Sequence, residues 1–257
     1  MRWLLVAVVL VLSAACGGPP SGPTGRSGDV PTGFEVLGTL PHDTGAFTQG
    51  LELADGVLYE GTGLEGRSSI RRLDPGTGEV RQRVDLPADL FGEGITVVDD
   101  RLWQITWRDG VAIERDRRTL EEVRRVTYEG EGWGLCRDGD RLVMSDGTDE
   151  LTFRDPRTFA ETGSTRVTRD GRPVTELNEL ECVGGRVWAN VWHTDEVVRV
   201  DPADGRVDAT VDLSGLRPGD VPASDVLNGI AAVPGTDEFL VTGKNWPTIF
   251  RIRFTGG

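Results

Sequence analysis

The sequence predicts an all-β fold, a five-bladed β-propeller whose ring is closed by the N-terminal strand joining the last blade. Three observations carry the prediction. A strand, tight turn, strand pattern recurs five times; its leading apolar residues, Leu51, Ile95, Leu135, Leu180 and Ile230, stand 44, 40, 45 and 50 residues apart; and no stretch sustains the 3.6-residue period of an amphipathic helix. Spacings of that size suit four-stranded blades, and 35 glycines with 14 prolines suit a chain with many turns.

Before the first repeat come three short regions. Arg2, an apolar run from Trp3 to Leu12 and the small residues Ser13, Ala14 and Ala15 follow the order of an export signal, residues 1–15, too short to serve as a bilayer span. Cys16, followed by Gly17-Gly18-Pro19-Pro20, resembles a bacterial lipobox cysteine, with Ser13 where Leu is usual. Cys16 is therefore the expected lipidation site, and an ordinary signal peptide that leaves a secreted product is the alternative. Residues 16–33 are rich in Gly, Pro, Ser and Thr and read as a flexible tether. Residues 34–257 read as one propeller domain, working outside the cytoplasm, on the outer face of the membrane or secreted.

The five repeats open at Thr48, Gly92, Gly132, Leu177 and Leu227. A second marker follows in the first four, at Leu73-Asp74-Pro75, Arg115-Asp116, Arg154-Asp155-Pro156 and Val200-Asp201-Pro202, each leading through a polar turn into a further strand such as Val80 to Leu86. These supply the third and fourth strands of each blade. The fifth repeat ends near Ile249-Phe250-Arg251-Ile252 without a fourth strand, while an unpaired strand, Phe34 to Leu40, precedes the first repeat. Pairing the two closes the ring and removes exposed sheet edges.

A formal net charge of -14 makes nucleic acid a poor partner and is the charge of a soluble exported protein. Three cysteines divide into Cys16 and the pair Cys136 and Cys182, which lie on the first strands of neighbouring blades with opposite parity, the arrangement by which they face one another; a disulfide and buried free thiols are both open. With only His42 and His193, and neither HExxH nor CxxC, a nitrogen and sulfur metal site has little to draw on, and no cofactor is expected. Membrane contact is expected through the lipid anchor alone, and the chain is expected to be monomeric.

Equivalent positions in the repeats gather chemistry at one end of the channel. Counted from Leu58, Leu102, Leu142 and Val187, the residue nine places earlier is Gln49, Glu93, Trp133 and Asn178, and the residue five places later is Gly63, Trp107, Gly147 and Trp192. In the fifth repeat Asn228 and Lys244 take the two places. Regular hairpins would set Glu93 beside Trp107 and Asn178 beside Trp192. Aromatic walls with a few inward polar groups are the makings of a ligand pocket.

At these residues the sequence resembles the plant and bacterial type of glutaminyl-peptide cyclotransferase, a five-bladed propeller. The likeness runs through His42-Asp43, Ala46-Phe47-Thr48-Gln49-Gly50-Leu51, Phe91-Gly92-Glu93-Gly94, Gly132-Trp133-Gly134-Leu135, Leu177-Asn178-Glu179-Leu180-Glu181, Asp225-Val226-Leu227-Asn228-Gly229-Ile230 and Val241-Thr242-Gly243-Lys244, and covers roughly residues 35 to 254. Gly61 stands where the family pattern has Ser.

The resemblance implies conversion of an N-terminal glutamine to pyroglutamate and ammonia, with N-terminal-Gln peptides or proteins as substrates. It implies Glu93 as general acid and base, with Lys244, Asn178 and the Trp133 N–H stabilising the oxyanion. Phe47, Phe91, Trp107 and Trp192 would pack the substrate, and Gln49 would fix its amino terminus. Indole surroundings would raise the Glu93 carboxyl and Lys244 would lower it; the sequence does not rank the two. Glu179 and Glu181 are rival carboxylates, read as structural. Two other readings fit a propeller: a peptide- or glycan-binding module without catalysis, and a calcium-dependent lactonase using Asn178, Asn228 and Asp225.

Overall fold

The computed structural model describes residues 30–256; the export signal, Cys16 and most of the tether lie outside the described residues. Five four-stranded antiparallel sheets form, each meandering outward from the channel. The first blade runs through Thr48–Ala54, Val57–Thr62, Ser69–Leu73 and Val80–Asp85, and the second through Gly92–Val98, Arg101–Thr106, Val111–Asp116 and Glu122–Thr127. The third comprises Leu135–Asp138, Arg141–Ser145, Glu150–Arg154 and Glu161–Arg166, and the fourth Leu177–Val183, Arg186–Val191, Glu196–Val200 and Val207–Asp212. The fifth has Leu227–Ala232, Glu238–Gly243 and Thr248–Gly256, and takes Pro31–Pro41 as its outermost strand, with Phe34 opposite Phe254 and Thr39 opposite Phe250.

That closing strand begins at Pro31, inside the span read from sequence as tether. The last strand runs on to Gly256 and offers partners as far as Pro31, and an outermost strand tolerates Pro at its start. The aspartates that mark the third and fourth strands each cap a turn: Asp74, Asp116, Asp155 and Asp201 accept backbone N–H groups two or three residues on.

Inner strands are buried on both faces, as in Gly92–Val98, whereas outer strands such as Val80–Asp85 are half-buried at most. The blades pack through an apolar cluster at every junction, with a second, Leu86 and Leu90 on Ile113, between the first and second. Tyr59 and Ile70 meet Ile95 and Leu102; Trp103 and Ile105 meet Leu142 and Met144; Val143 and Leu151 meet Leu180 and Val187. Val197 and Val211 meet Ile230 and Phe239, and Leu240 and Ile249 meet Leu51 and Leu58, which completes the circle. Each such side chain contributes about 1.5–3 kcal/mol when fully buried. Trp103 and Trp188 fill wedges: the Trp103 N–H donates to the Pro156 carbonyl at 2.9 Å, and Trp188 stacks on Phe254 at 4.2 Å. Cys136 and Cys182 are joined by a disulfide that ties the third blade to the fourth, Cα–Cα 5.4 Å.

Just below the rim the inner strands approach one another closely. A Cβ on Gly50 would lie 2.7 Å from the Ile95 N, and one on Gly94 would lie 2.6 Å from the Leu135 N. The equivalent place in the fourth blade holds Glu179, whose carboxylate crosses the channel to accept the Leu51 N–H at 3.1 Å and the Ile230 N–H at 2.7 Å. Glu179 thus braces the first and fifth blades against the fourth. Glu181 lies two residues deeper and pairs across the hairpin with Trp188.

Candidate active site

The strand register departs from a regular hairpin where the chemistry lies. Four innermost strands carry an irregularity at the rim: between Thr48 and Gly50, between Gly92 and Ile95, between Leu177 and Leu180, and between Leu227 and Ile230. A bulge leaves its residue out of the ladder and re-aims the side chain. The residues left out of the ladder are Gln49, Glu93 with Gly94, Asn178 with Glu179, and Asn228 with Gly229. The expected neighbours are therefore displaced: the Trp107 backbone N–H donates to the Phe91 carbonyl rather than standing opposite Glu93, and the Trp192 backbone N–H donates to the Glu176 carbonyl rather than standing opposite Asn178.

The structure nevertheless brings these residues to one cavity of ≈ 440 Å³ at the channel mouth. Glu93, Lys244, Gln49, Asn178, Arg108 and Glu131 supply its polar groups, and Phe47, Phe91, Trp107, Trp133 and Trp192 its aromatic walls. The aromatics meet edge to face, Phe91 with Trp107 at 5.4 Å and Trp133 with Trp192 at 5.2 Å, which holds the walls rigid. Lys244 Nζ lies 4.7 Å from the Phe47 ring centre and 5.8 Å from that of Trp192.

Glu93 is 4% exposed. Its Oε1 accepts the Gln49 amide N–H at 2.6 Å, and its Oε2 is buried without a partner. Burial pushes its carboxyl well above the ordinary range; the Lys244 ammonium pulls it down, and the Glu131 charge pushes it up. Burial outweighs the ammonium, which decides the ranking the sequence left open. Lys244 is pushed down by burial and held up by Glu93. The two are not a contact ion pair, and Lys244 makes no salt bridge within 4.0 Å among the described residues, so its ammonium faces the cavity uncommitted.

Two of the expected site residues are already engaged. Gln49 does not face the cavity as a free amide: its N–H holds Glu93, and its Oε1 accepts from Asn228 Nδ2 at 3.0 Å, which also donates to the Thr48 carbonyl. Its amide orients the carboxylate. The Trp133 N–H is likewise committed, to Glu131 Oε2 at 3.0 Å, because the loop two residues earlier places that carboxylate beside it. The Trp133 indole N–H thus has a partner, whereas Lys244 Nζ and Asn178 Nδ2 have none among the described residues.

Glu131 was not foreseen. Its Oε2 also accepts the Trp107 N–H at 2.8 Å, and its Oε1 takes Arg108 at 2.9 Å. Partial burial pushes the Glu131 carboxyl up, but the bonds from Trp133, Arg108 and Trp107 bring it below the ordinary range. The one signal for it in the sequence is its place in the Gly-spaced run Glu129-Gly130-Glu131-Gly132-Trp133. Beneath the seam between the last blade and the first, His42 Nε2 donates to Glu60 Oε1 at 2.7 Å and its Nδ1 to the Trp246 carbonyl at 2.8 Å. Both nitrogens facing acceptors favours the imidazolium: burial, the largest single effect, pushes the ring down, but the charge and hydrogen bond of Glu60 and the Trp246 carbonyl together raise it above its ordinary value. This pair ties the loop that carries Phe47 and Gln49 to the turn after Lys244.

Of the residues considered for calcium, Asn228 is bound up with Gln49 and Thr48, and Asp225 does not line the cavity. Among the described residues no group of three or more His, Cys, Asp or Glu side chains is arranged to hold a metal ion.

A family model described as glutamine cyclotransferase matches residues 7–254. A glutaminyl-peptide cyclotransferase of Arabidopsis thaliana is 41% identical over 226 residues, covering 86% of this chain and 71% of that protein. The crystal structure of Myxococcus xanthus glutaminyl cyclase is similar at a TM-score of 0.82 and 37% identity, covering 88% of this chain and 98% of that one. With the match spread over every blade and the rim residues gathered in one cavity, the chain belongs to the glutamine cyclotransferase family.

Proposed function

We propose that this chain is a glutaminyl-peptide cyclotransferase that closes the N-terminal glutamine of a peptide into pyroglutamate and releases ammonia, without a metal ion and with Glu93 as proton carrier. The observation that carries the reading is the state of Glu93: one oxygen is held by Gln49, the other is buried and unpartnered, and both lie in an aromatic cavity beside a free ammonium.

The nucleophile is already tethered to its target, so the protein mainly holds a near-attack geometry. The neutral α-amine attacks the side-chain carbonyl carbon, forming the ring C–N bond and driving the electron pair onto the carbonyl oxygen. Lys244 and the Asn178 amide stabilise that oxyanion, each such donor being worth about 2.7–4 kcal/mol. Glu93 Oε2 accepts the proton from the attacking nitrogen and delivers it to the departing amide nitrogen. The oxyanion electron pair then reforms the carbonyl, the old C–N bond breaks and ammonia leaves. A carboxyl raised by burial suits both halves of that transfer, since base and acid forms lie closer in energy near neutral pH.

Purified protein incubated with a short Gln-terminal peptide should release ammonia, with the matching loss of mass, well above the uncatalysed rate. Turnover that survives EDTA and collapses in Glu93→Gln supports the full reading. Turnover abolished by EDTA would overturn the metal-free mechanism, and turnover kept by the mutant would overturn the role of Glu93. We place the enzyme outside the cytoplasm, anchored through Cys16, on the order of residues 1–16 and on the Cys136–Cys182 disulfide, a bond that persists in oxidising compartments.

A further inference from the structure

We infer that a second cleft, beside the catalytic cavity, binds the backbone of the substrate peptide that follows its N-terminal glutamine. This rests on the cyclotransferase reading above, under which all but the first residue of a substrate must leave the ≈ 440 Å³ cavity through its mouth.

The cleft has a volume of ≈ 640 Å³ and shares Trp192 with the catalytic cavity. The two are joined at a second point: the Glu176 N–H donates to the Gly147 carbonyl at 2.7 Å, and Gly147 packs on the Trp133 ring, where a Cβ would lie 2.6 Å from the indole. One wall is a two-stranded hairpin, Thr168–Arg169 with Arg172–Pro173, inserted between the third and fourth blades. It turns through Asp170 and Gly171, both at positive φ (52° and 75°), as a tight two-residue turn requires.

The cleft carries both halves of a backbone-binding surface. Arg172 is exposed and makes no salt bridge among the described residues, whereas Arg169 is engaged with Glu196 at 3.0 Å. Asp170, at the hairpin tip, also lines the cleft, so the surface is not a one-sign patch. On the floor, Glu176 is held at φ 61° in the left-handed region, which a non-glycine residue occupies at a cost. Its backbone is locked by the bonds to Gly147 and from Trp192, and its Oε2 is shielded from water and without a partner. An uncommitted donor, Arg172, and an unspent acceptor, Glu176, lining a cleft that shares Trp192 with the cavity, match the alternating C=O and N–H groups of an extended peptide. Glu176 would take a peptide N–H and Arg172 a peptide C=O; side chains beyond the glutamine would be read little.

The test compares kcat/KM for the amide-capped peptides Gln-Ala and Gln-Ala-Ala-Ala, and for a tetrapeptide in which the amide N–H of the fourth residue, the first that the dipeptide lacks, is replaced by an ester oxygen. The wild type should favour the tetrapeptide by about tenfold through KM, the size of one hydrogen bond to a charged group, and the ester should lose most of that gain. Glu176→Gln and Arg172→Ala should each shrink the ratio of tetrapeptide to dipeptide. Equal kcat/KM for all three substrates would overturn the subsite while leaving cyclisation intact, and so would variants that lower both peptides in proportion. No turnover of the dipeptide above the uncatalysed rate would sink the catalytic reading itself, and this inference with it. The ester comparison needs no variant and stands if Glu176→Gln fails to fold.

Discussion

Two carboxylates, Glu93 at the rim of the second blade and Glu179 one position deeper in the fourth, are alike in nearly every bulk respect. Both sit on innermost strands at 4% exposure or less, and burial pushes both carboxyls well above the ordinary range. They differ in what their oxygens touch. Glu179 spends both on backbone N–H groups of two other blades, whereas Glu93 spends one on Gln49 and keeps the other free inside an aromatic cavity. Burial and a raised carboxyl are common to both; what sets Glu93 apart from Glu179 is an unspent oxygen inside an aromatic cavity.

The sharpest way to break this comparison is Glu93→Gln, nearly the same shape. It should lower kcat by about 10³-fold, within the range for a general acid–base group, without lowering the melting temperature. The sign of its stability effect follows from the raised carboxyl. Stability tied to protonated Glu93 is present at low pH and lost as pH rises through the folded-state value, so the variant should gain on the wild type as pH increases. Melting curves across pH check this; a variant that melts lower at every pH would place Glu93 with Glu179.

Lys244→Met should lower kcat by about 10²–10³-fold. It should also move the acid limb of the pH–rate profile to higher pH, because the ammonium no longer favours ionised Glu93. A limb that moves down would sever the coupling between the two. The converse case is Glu179→Ala, which strands the Leu51 and Ile230 N–H groups and should cost on the order of 3 kcal/mol. Denaturant midpoints report it, and an unchanged midpoint would remove the bracing role. Smallest is Glu131→Gln: losing a charge that pushes Glu93 up should shift the acid limb down by roughly a fraction of a pH unit, the scale of one screened charge.

The ring and its rim were legible because a repeat is a statement about equivalence. Leu51, Ile95, Leu135, Leu180 and Ile230 recur at blade spacing, so residues at fixed offsets from the following strand had to share one end of one channel. Glu93, Lys244 and the tryptophan walls follow from that counting, Phe47 and Phe91 from the family resemblance, and the closing strand from a missing fourth strand in the last blade.

Counting could not supply the bulges. An irregular register at Gln49, Glu93, Asn178 and Asn228 arises where five inner strands converge and their backbones approach within contact, a demand set by ring closure and not by any one hairpin. Nor could it assign partners. The commitment of the Trp133 N–H to Glu131, of Gln49 to Glu93 and of Glu179 to two distant blades depends on distances across the channel, up to 128 residues apart in sequence. The sequence by itself determined which residue types meet at the rim, because repeat position and strand period are local and additive. Which of their polar atoms remain free to react was decided only by the closed tertiary structure, because hydrogen bonds are exclusive and directional and are allotted among blades at once.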